Sequence, residues 1–332
     1  MVPEAETRAL LASPRAIIPD GDIADNLRSY ARQPRGSNVS PRTVQTYGEA
    51  VRQLVEYLAL NGMPVEVAHV KREHVEAFIE DLLTRRHVNG QPLKPSTAHN
   101  RYRGLKAFSA WLADEGEIQA SPMARMKPPR LVEQPVAVLR EVDLKKLLAT
   151  VEAGRTFDER RDAAIIRTFI ATGARLAEVA GLRYSPDDDT TNDMDLDQGI
   201  VRIVRGKGGR ERVVGLDSRA VKALDRYLRV RAKSASAREP WLWVGRKGRF
   251  GESGIGQMLA DRGRQAGLAG RLHAHQIRHS MAHAYLAAGG QEQNAMRLFG
   301  WQSREMLGRY AASTGTERAL AEQRKLGIGD RL

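Results

Sequence analysis

Cysteine is missing from this chain of 332 residues. Its absence excludes a disulfide framework, a thiolate metal site and a cysteine nucleophile, and it fits the reducing cytoplasm of a cell. Long apolar runs are also missing, since no stretch approaches the roughly 18–20 apolar residues that a membrane-spanning helix needs. The first residues lack the basic start and apolar block of a secretory signal. We therefore expect a cytoplasmic protein without a membrane partner.

Acidic residues are scarce relative to basic ones. The formal net charge is +13 and the sequence pI is about 10.2. Residues 201–280 contain 19 Lys and Arg against 6 Asp and Glu, a surplus equal to that of the whole chain. Such a balance suits a polyanionic partner, and nucleic acid is the expected one. The alternative is a solvated basic surface, and composition does not distinguish DNA from RNA.

The first part of the chain is predicted to be an arm followed by a helical domain. Residues 1–38 are expected to form a short, partly disordered N-terminal arm, because they end in a loop-like run. Residues 39–125 carry apolar side chains at helical spacing, which predicts a compact all-helical domain. Its first helix should follow Ser40, a typical N-cap, with Pro41 at the first helical position. A second helix is expected over 72–86.

A further helix of this domain is predicted to begin at Ser96. The positions expected on its buried face are Ala98, Leu105, Phe108 and Leu112. Prolines and charges then break the pattern over 126–137, so this stretch is the best candidate for a linker between two domains.

The second domain, 138–332, is predicted to be mixed α/β. Helices are expected near 141–151 and 159–171, and strands over 199–204 and 212–214. The glycine-rich turn between these strands predicts a β-hairpin. Helices should resume after it, so the whole chain is expected to be mainly α with a small β-sheet.

Common metal-binding and phosphate-binding motifs fail to match. The aspartates around Asp193 and Asp195 hint at a calcium loop, but its sixth position is Gln198 rather than glycine and its twelfth is Val204 rather than glutamate. We interpret these aspartates as the approach to a strand. No glycine-rich phosphate loop follows a strand, and no cluster of carboxylates suggests a two-metal nuclease. We therefore expect neither a metal nor a cofactor.

Scattered cationic residues remain as candidates for catalysis. Arg175 lies in a predicted turn before a helix that carries Glu178, and Lys207 lies at the tip of the predicted hairpin. His275 and Arg278 are three positions apart, on one face of a predicted helix. Each residue also has an ordinary structural interpretation. Arg175 could simply pair with Glu178, and His275 could be a structural histidine.

Two aromatic residues complete the set of candidates. Trp301 lies near the end of the chain, and Tyr310 follows it by nine positions. Taken singly, either could be a core aromatic. The motif around them, together with the other candidates, decides between a structural and a catalytic interpretation.

In this order and at these separations, the residues resemble the signature of the tyrosine recombinase, or phage integrase, family. That signature is T-G-x-R-x-x-E, a hairpin G-K-G-x-K/R-x-R, then H-x-x-R-H, then L-G-H/W with a tyrosine nine positions after its last residue. The resemblance covers about residues 40–315. The chain departs from the pattern at Phe299-Gly300, where Leu-Gly is usual, and at Trp301, where histidine is commoner.

The resemblance implies a two-domain clamp on duplex DNA, with a helical core-binding domain and a mixed α/β catalytic domain. Tyr310 is the implied nucleophile, which leaves a 3′-phosphotyrosine and a free 5′-hydroxyl. Arg175 and Arg278 would bind the non-bridging phosphate oxygens, because guanidinium groups stabilise a charge-rich transition state. Lys207 is the implied general acid for the departing 5′ oxygen. The activity would be site-specific recombination, by integration or excision, without ATP or metal.

Supporting roles are implied for other residues. Trp301 would donate its indole N–H to the phosphate, and His275 would add a hydrogen bond and assist proton movement. Glu178 would orient Arg175. The residues implied in DNA binding are Ser96, Thr97, Asn100, Arg101, Arg205 and Arg210.

The implied partner is double-stranded DNA with core-type sites. A dimer would bind each site and a homotetramer would join two sites, with a C-terminal helix from about 316 docked on a neighbouring protomer. A DNA-bending factor or an excision factor could take part, in the cytoplasm or nucleoid of a bacterial host. The short arm argues against binding to separate arm-type sites.

Two other functions stay open at this point. A type IB topoisomerase-like enzyme would use similar chemistry to relax supercoils, although the upstream helical module fits a recombinase better. A basic DNA-binding regulator without catalysis would explain the charge, but it would not explain the ordered set of candidate residues.

Overall fold

The computed structural model describes residues 22–32, 41–86, 90–130, 138–204, 211–301, 303, 305, 307–308 and 315–327. The chain divides into two units, Met1–Glu133 and Gln134–Leu332. The described residues are mainly helical, with two small antiparallel sheets, which confirms the predicted fold class. Among the described helices, none is both long enough and apolar enough to span a membrane.

The described part of the first unit is helical. Its α-helices are α1 (Asp22–Ala31), α2 (Pro41–Leu60), α3 (Arg72–Thr84) and α4 (Pro95–Asp114). Their apolar faces meet in one core, in which Leu58, Phe78 and Leu105 are almost fully buried. The helical domain predicted for this region therefore folds around its own core.

Helix α1 lies inside the stretch that we predicted to be a partly disordered arm. Its Ile23, Leu27 and Tyr30 recur at the spacing of one helical face, and all three are buried. Asp22 Oδ1 accepts the backbone N–H of Val67 at 2.8 Å, which ties the start of α1 to the loop after α2. The prediction of an arm over 1–38 is therefore wrong for these residues, because a short amphipathic face is enough to join an existing core.

Helix α4 begins before the residue that we predicted to open it. Lys94 is the N-cap and Pro95 the first helical residue, so Ser96 lies within the first turn. Proline suits this position because the N–H that it lacks would have no partner in the helix. The predicted buried positions of α4 are confirmed: Ala98, Leu105, Phe108 and Leu112. A Cβ on Gly104 would lie 3.0 Å from the Cβ of Ala50, so glycine there allows α4 to pack closely on α2.

The second unit combines helices with short strands. Its described α-helices are α5 (Glu141–Ala149), α6 (Phe157–Thr172), α7 (Leu176–Ala180), α8 (Ser218–Arg231), α9 (Glu252–Gln265), α10 (Ala274–Ala287), α11 (Glu292–Phe299) and α12 (Gly315–Leu326). Helix α6 packs against α8 and α10 in the core. It begins at a capping box, in which the Thr156 side chain accepts the N–H of Glu159 and the Glu159 carboxylate accepts the N–H of Thr156. This cap explains why α6 begins two residues before the predicted start at 159.

The predicted hairpin is part of a three-stranded antiparallel sheet. Its strands are β1 (Met194–Asp195), β2 (Ile200–Ile203) and β3 (Arg212–Gly215), in the order β1-β2-β3. Ile203 pairs with Arg212, which confirms the two predicted strands and their pairing. Strands β4 (Val244–Gly245) and β5 (Gly248–Arg249) form the second, smaller sheet. The turn between β2 and β3 lies outside the described residues, and it includes Arg205, Lys207 and Arg210.

The aspartates before β2 serve the turn rather than a calcium loop. Asp195 Oδ1 accepts the backbone N–H groups of Asp197 and Gln198 at 3.0 and 2.9 Å, which closes the turn between β1 and β2. The interpretation of this run as the approach to a strand is confirmed by β1 and β2.

Candidate active site

The end of α6 sets the position of Arg175. Gly173 ends this helix with a φ of 56°, the left-handed conformation that glycine adopts most easily. A Cβ at Gly173 would lie 2.3 Å from Cε1 of Phe299, so the ring occupies the space that a side chain would need. The chain turns sharply there, and Arg175 becomes the N-cap residue of α7.

Arg175 is held by a carboxylate one turn along α7. Its backbone N–H donates to Glu178 Oε2 at 2.8 Å, and its Nη1 donates to Glu178 Oε1 at 2.9 Å. Its Nη2 donates to the carbonyl oxygen of Gly300 at 3.2 Å. The guanidinium is therefore oriented by two segments that are far apart in the sequence. Its side chain stays partly exposed, with 29% of its surface accessible, so it can still meet a ligand.

Arg212 is a part of this site that the sequence analysis did not name. Its Nη1 and Nη2 donate to Oε1 and Oε2 of Glu178 at 3.0 and 2.6 Å, which is a bidentate pair. Its Nε donates to the carbonyl oxygen of Leu298 at 3.0 Å. Because Arg212 is the last arginine of the hairpin motif that begins at Gly206, the resemblance contained a signal for it. The motif did not reveal that its partner would be Glu178.

Glu178 is a buried carboxylate between two guanidinium groups. Only 2% of its side chain is exposed. Burial raises the pKa of this carboxyl, but the hydrogen bonds and charge of Arg212 and the bonds from Arg175 outweigh burial and lower the pKa to about 2. Glu178 is therefore ionised at neutral pH and has both carboxylate oxygens occupied.

Arg278 is oriented by backbone carbonyls. It lies on α10 and only 2% of the residue is exposed. Its Nη1 donates to the carbonyl oxygen of Gly173 at 2.8 Å, and its Nη2 donates to that of Phe299. These carbonyl acceptors fix the plane of the guanidinium. Because they are neutral, they do not cancel its positive charge.

The end of α11 gathers three arginines. The consecutive carbonyl oxygens of Leu298, Phe299 and Gly300 accept hydrogen bonds from Arg212, Arg278 and Arg175 in that order. Carbonyls at a helix C-terminus have no partner within the helix and carry partial negative charge, so they attract cations. Gly300 ends α11 with a φ of 61°. The structure thus brings Arg175 and Arg278, both predicted to be catalytic, to one end of one helix.

His275 lies one turn before Arg278 on α10, and His279 directly follows Arg278, one turn after His275. The Nε2 atoms of the two histidines are 2.8 Å apart, and their ring planes cross at 86°. Partial desolvation, Arg278 and Arg175 lower the pKa of His275. Burial, His275 and Arg278 lower the pKa of His279 to about 4. Both rings are therefore neutral at pH 7, and one can donate to the other.

Trp301 follows the three carbonyls and is 4% exposed. Its ring stacks on Phe299 with centroids 5.1 Å apart, and its backbone N–H donates to the carbonyl of Met296 at 2.9 Å. It therefore supports the segment that holds the arginines. Lys207 and Tyr310 lie outside the described residues, so their predicted roles stay predictions.

The residues predicted to bind DNA on α4 differ in exposure. Ser96 and Asn100 are exposed and lie on one helical face, one turn apart. Thr97 and Arg101 are partly buried, and Arg101 Nε donates to Gln53 Oε1 on α2 at 2.8 Å. Arg205 and Arg210, predicted on the hairpin, lie outside the described residues.

Comparison with known families covers both units. The model of the phage integrase family matches residues 137–317, a range that contains every residue predicted to be catalytic. The chain belongs to the phage integrase family. The model of the phage integrase N-terminal SAM-like domain matches residues 25–117, which cover most of α1 and all of α2 to α4.

Individual proteins similar to this chain are also recombinases or integrases. The tyrosine recombinase XerC of Chromohalobacter salexigens is 32% identical over 83% of this chain and 85% of its own. Among solved structures, XerH recombinase bound to a palindromic difH substrate has a TM-score of 0.69 at 16% identity, over 90% of this chain and 83% of its own. A lambda integrase dimer bound to a COC′ core site has a TM-score of 0.63 at 14% identity, over 86% of this chain and 94% of its own.

This phage integrase family member is a site-specific recombinase, an enzyme that breaks and rejoins DNA strands. The family match therefore confirms the predicted activity. Neither the topoisomerase-like alternative nor the non-catalytic regulator is favoured by the relatives.

Proposed function

We propose that Arg175 and Arg278 hold the phosphate that is cut, and that Tyr310 attacks it. The observation that carries this proposal is the gathering of both arginines at the carbonyl end of α11. Fixed donors stabilise a phosphoryl transition state well because they need no reorganisation as negative charge develops. Glu178 and the backbone carbonyls supply that fixed geometry.

Strand cleavage is proposed to be a transfer from one oxygen to another. The Tyr310 phenolic oxygen forms a bond to phosphorus and releases its proton, while the bond from phosphorus to the 5′ oxygen breaks. Lys207 donates a proton to that leaving oxygen. The products are a 3′-phosphotyrosine and a 5′-hydroxyl, and attack by the 5′-hydroxyl of a partner strand reverses the step. No ATP is consumed because the new ester replaces the old one.

His275 is proposed to assist the proton that leaves Tyr310. Its lowered pKa supports a neutral ring at pH 7, which can accept or donate a hydrogen bond. The contact with His279 fixes the ring orientation. Trp301 is proposed to donate its indole N–H to the phosphate, and its stacking on Phe299 supports a role in holding the segment.

The partner is proposed to be duplex DNA with core-type sites, bound by one dimer per site and a tetramer on two sites. Residues 39–125 would form the core-binding domain, 126–137 the linker and 138–332 the catalytic domain. Helix α12 would dock on a neighbouring protomer, and a DNA-bending or excision factor could assist. The XerH structure contains DNA, and the lambda integrase structure contains a dimer on a core site, which supports the first part of this proposal.

The test of the proposal is covalent trapping. The protein would be incubated with a pool of nicked duplexes, denatured, and searched for protein–DNA adducts, whose DNA would then be sequenced. Tyr310→Phe should abolish the adduct, whereas Tyr285→Phe, which removes a phenolic oxygen from α10, should retain it. Arg175→Ala and Arg278→Ala should lose the adduct but keep measurable DNA binding.

Two results would count against these assignments. An adduct that survives Tyr310→Phe would mean that another nucleophile is used. Equal loss of DNA binding and adduct in both arginine variants would mean that these residues support folding rather than catalysis. Relaxation of a supercoiled plasmid that lacks a trapped site would instead favour the topoisomerase-like alternative.

A further inference from the structure

A basic cavity lies in the second unit, apart from the arginines at the end of α11. It has a volume of about 410 Å³ and lies between α6 and α8, beside the turn that follows α5. Neither Arg175, Arg278 nor His275 lines it. It is therefore not the proposed catalytic centre.

Positive side chains dominate the lining of this cavity. The cationic residues are Arg160 and Arg167 from α6 and Arg219, Lys222 and Arg226 from α8. Glu152 is the carboxylate in the lining, and it pairs with Arg167. Among the described residues, none forms an ion pair with any of the other four cations.

Nearby carboxylates offset only part of this charge. Asp217, the N-cap of α8, is near Arg167 and partly offsets its charge, and its Oδ1 accepts the backbone N–H groups of Arg219 and Ala220 at 2.9 Å each. Glu152 and Asp217 thus stand against five cationic side chains. Arg167 is 8% exposed, and burial lowers the pKa of its guanidinium. Arg160 Nε is buried, and no hydrogen-bond partner for it occurs among the described residues. Buried donors normally have a partner, so this cavity has the composition of a site that an anion completes.

We propose that this cavity binds a phosphate group. Arginine forks bind phosphate through two parallel hydrogen bonds, and several arginines here face one space. The volume is in the range of small-molecule sites, so a diphosphate or a nucleoside phosphate fits the cavity as well as a single phosphate.

Two sources can present this group: a free phosphate compound, or the backbone of the bound DNA at a position other than the cut phosphate. The first measurement is a calorimetric titration of the full chain with inorganic pyrophosphate. The variant Arg219→Gln/Arg226→Gln should weaken binding about tenfold or more, since it removes two charge-assisted contacts. The matched control is Arg229→Gln/Arg264→Gln, which removes the same charge from exposed positions outside the cavity and should leave the affinity within about twofold.

The second measurement is the extent of acylation of Lys222, which lines the cavity. It is determined by mass spectrometry with and without each ligand. Protection by pyrophosphate but not by duplex DNA assigns the site to a free phosphate compound. Protection by DNA, together with a loss of DNA affinity in the cavity variant that the control does not share, assigns it to the DNA backbone. Protection by neither ligand, or equal weakening in both double variants, overturns the proposal. Covalent trapping at Tyr310 is measured separately, so failure here leaves that proposal standing.

Discussion

Glu178 places one buried negative charge between arginines from two distant parts of the chain. Arg175 is three residues away, whereas Arg212 comes from β3 and forms the bidentate half of the arrangement. A buried ion pair tolerates poorly the removal of one partner, because the remaining charge keeps its desolvation cost. We therefore expect the orientation of Arg175 to depend on Arg212, which would make Arg212 a positioning residue.

Replacing Arg212 should damage both folding and cleavage. Arg212→Leu is expected to lower the free energy of unfolding by about 3–5 kcal/mol, because it leaves the buried Glu178 carboxylate without its bidentate partner. Arg212→Lys keeps the charge without the fork, so it should recover part of the stability and less of the cleavage rate. Urea unfolding and single-turnover cleavage at saturating DNA would measure the two effects. Arg229→Leu, at an exposed ion pair, should cost about 1 kcal/mol or less, and an Arg212→Leu protein that cleaves normally would refute the positioning role.

The pKa values predict how stability changes with acidity. The pKa of His279 is lowered from 6.5 to about 4 in the folded protein. As the pH falls, this histidine therefore binds a proton near pH 6.5 in the unfolded chain but only near pH 4 in the folded one. Stability should therefore fall as the pH drops through this window. Glu178 acts in a lower window, since its stabilisation is present above 4.5 and is lost as the pH falls towards 2. Urea midpoints measured between pH 7 and 4.5 should fall less steeply in His279→Asn than in the native protein. His283→Asn, on the same helix, should keep the native slope, and equal slopes in all three proteins would contradict the assignment.

At the scale of elements, the C-terminus of α11 organises the site. Its last carbonyls accept hydrogen bonds from three arginines, and Trp301 packs directly behind them. The sequence predicted the strands of the hairpin and most helices, because periodicity and caps are local signals. It could not predict that backbone carbonyls of 298–300 would orient the arginines. Such contacts are carried by the backbone, which leaves no pattern of residue types.

Adding a methyl group at Gly300 should show whether the end of α11 orients the arginines or only terminates the helix. Gly300→Ala must adopt a φ near 61°, and its Cβ would lie 3.0 Å from Nη1 of Arg212. Gly289→Ala is the matched control, because its φ is 84° and nothing lies within 4 Å of the added Cβ. Both should lose about 1–2 kcal/mol of stability from the left-handed conformation. Only Gly300→Ala should also lose cleavage, by about 10²-fold at saturating DNA, because it shifts the arginines. Equal cleavage in the two variants would show that the end of α11 has no such role.

At the scale of the whole molecule, sequence and structure agree on an enzyme of two units. The family match over 137–317 and the SAM-like match over 25–117 follow the division into Met1–Glu133 and Gln134–Leu332. The sequence failed at α1, where a short polar stretch with few apolar residues was interpreted as an arm. It also left Arg212 out of the site, because its contact with Glu178 joins two elements that are far apart in the sequence. His279 was left out although its contact with His275 is local, one turn along α10. The basic surplus over 201–280 includes three lining residues of the cavity beside α8, so it is not all directed at the cut phosphate.

The most direct test of the account is to identify the residue that carries the DNA. Trapped protein–DNA adducts would be digested with protease and nuclease, and the modified peptide would be sequenced by mass spectrometry. The account predicts a peptide in which the phenolic oxygen of Tyr310 bears a nucleotide through its 3′-phosphate. An adduct on any other residue, or a nucleotide joined through its 5′-phosphate, would contradict it.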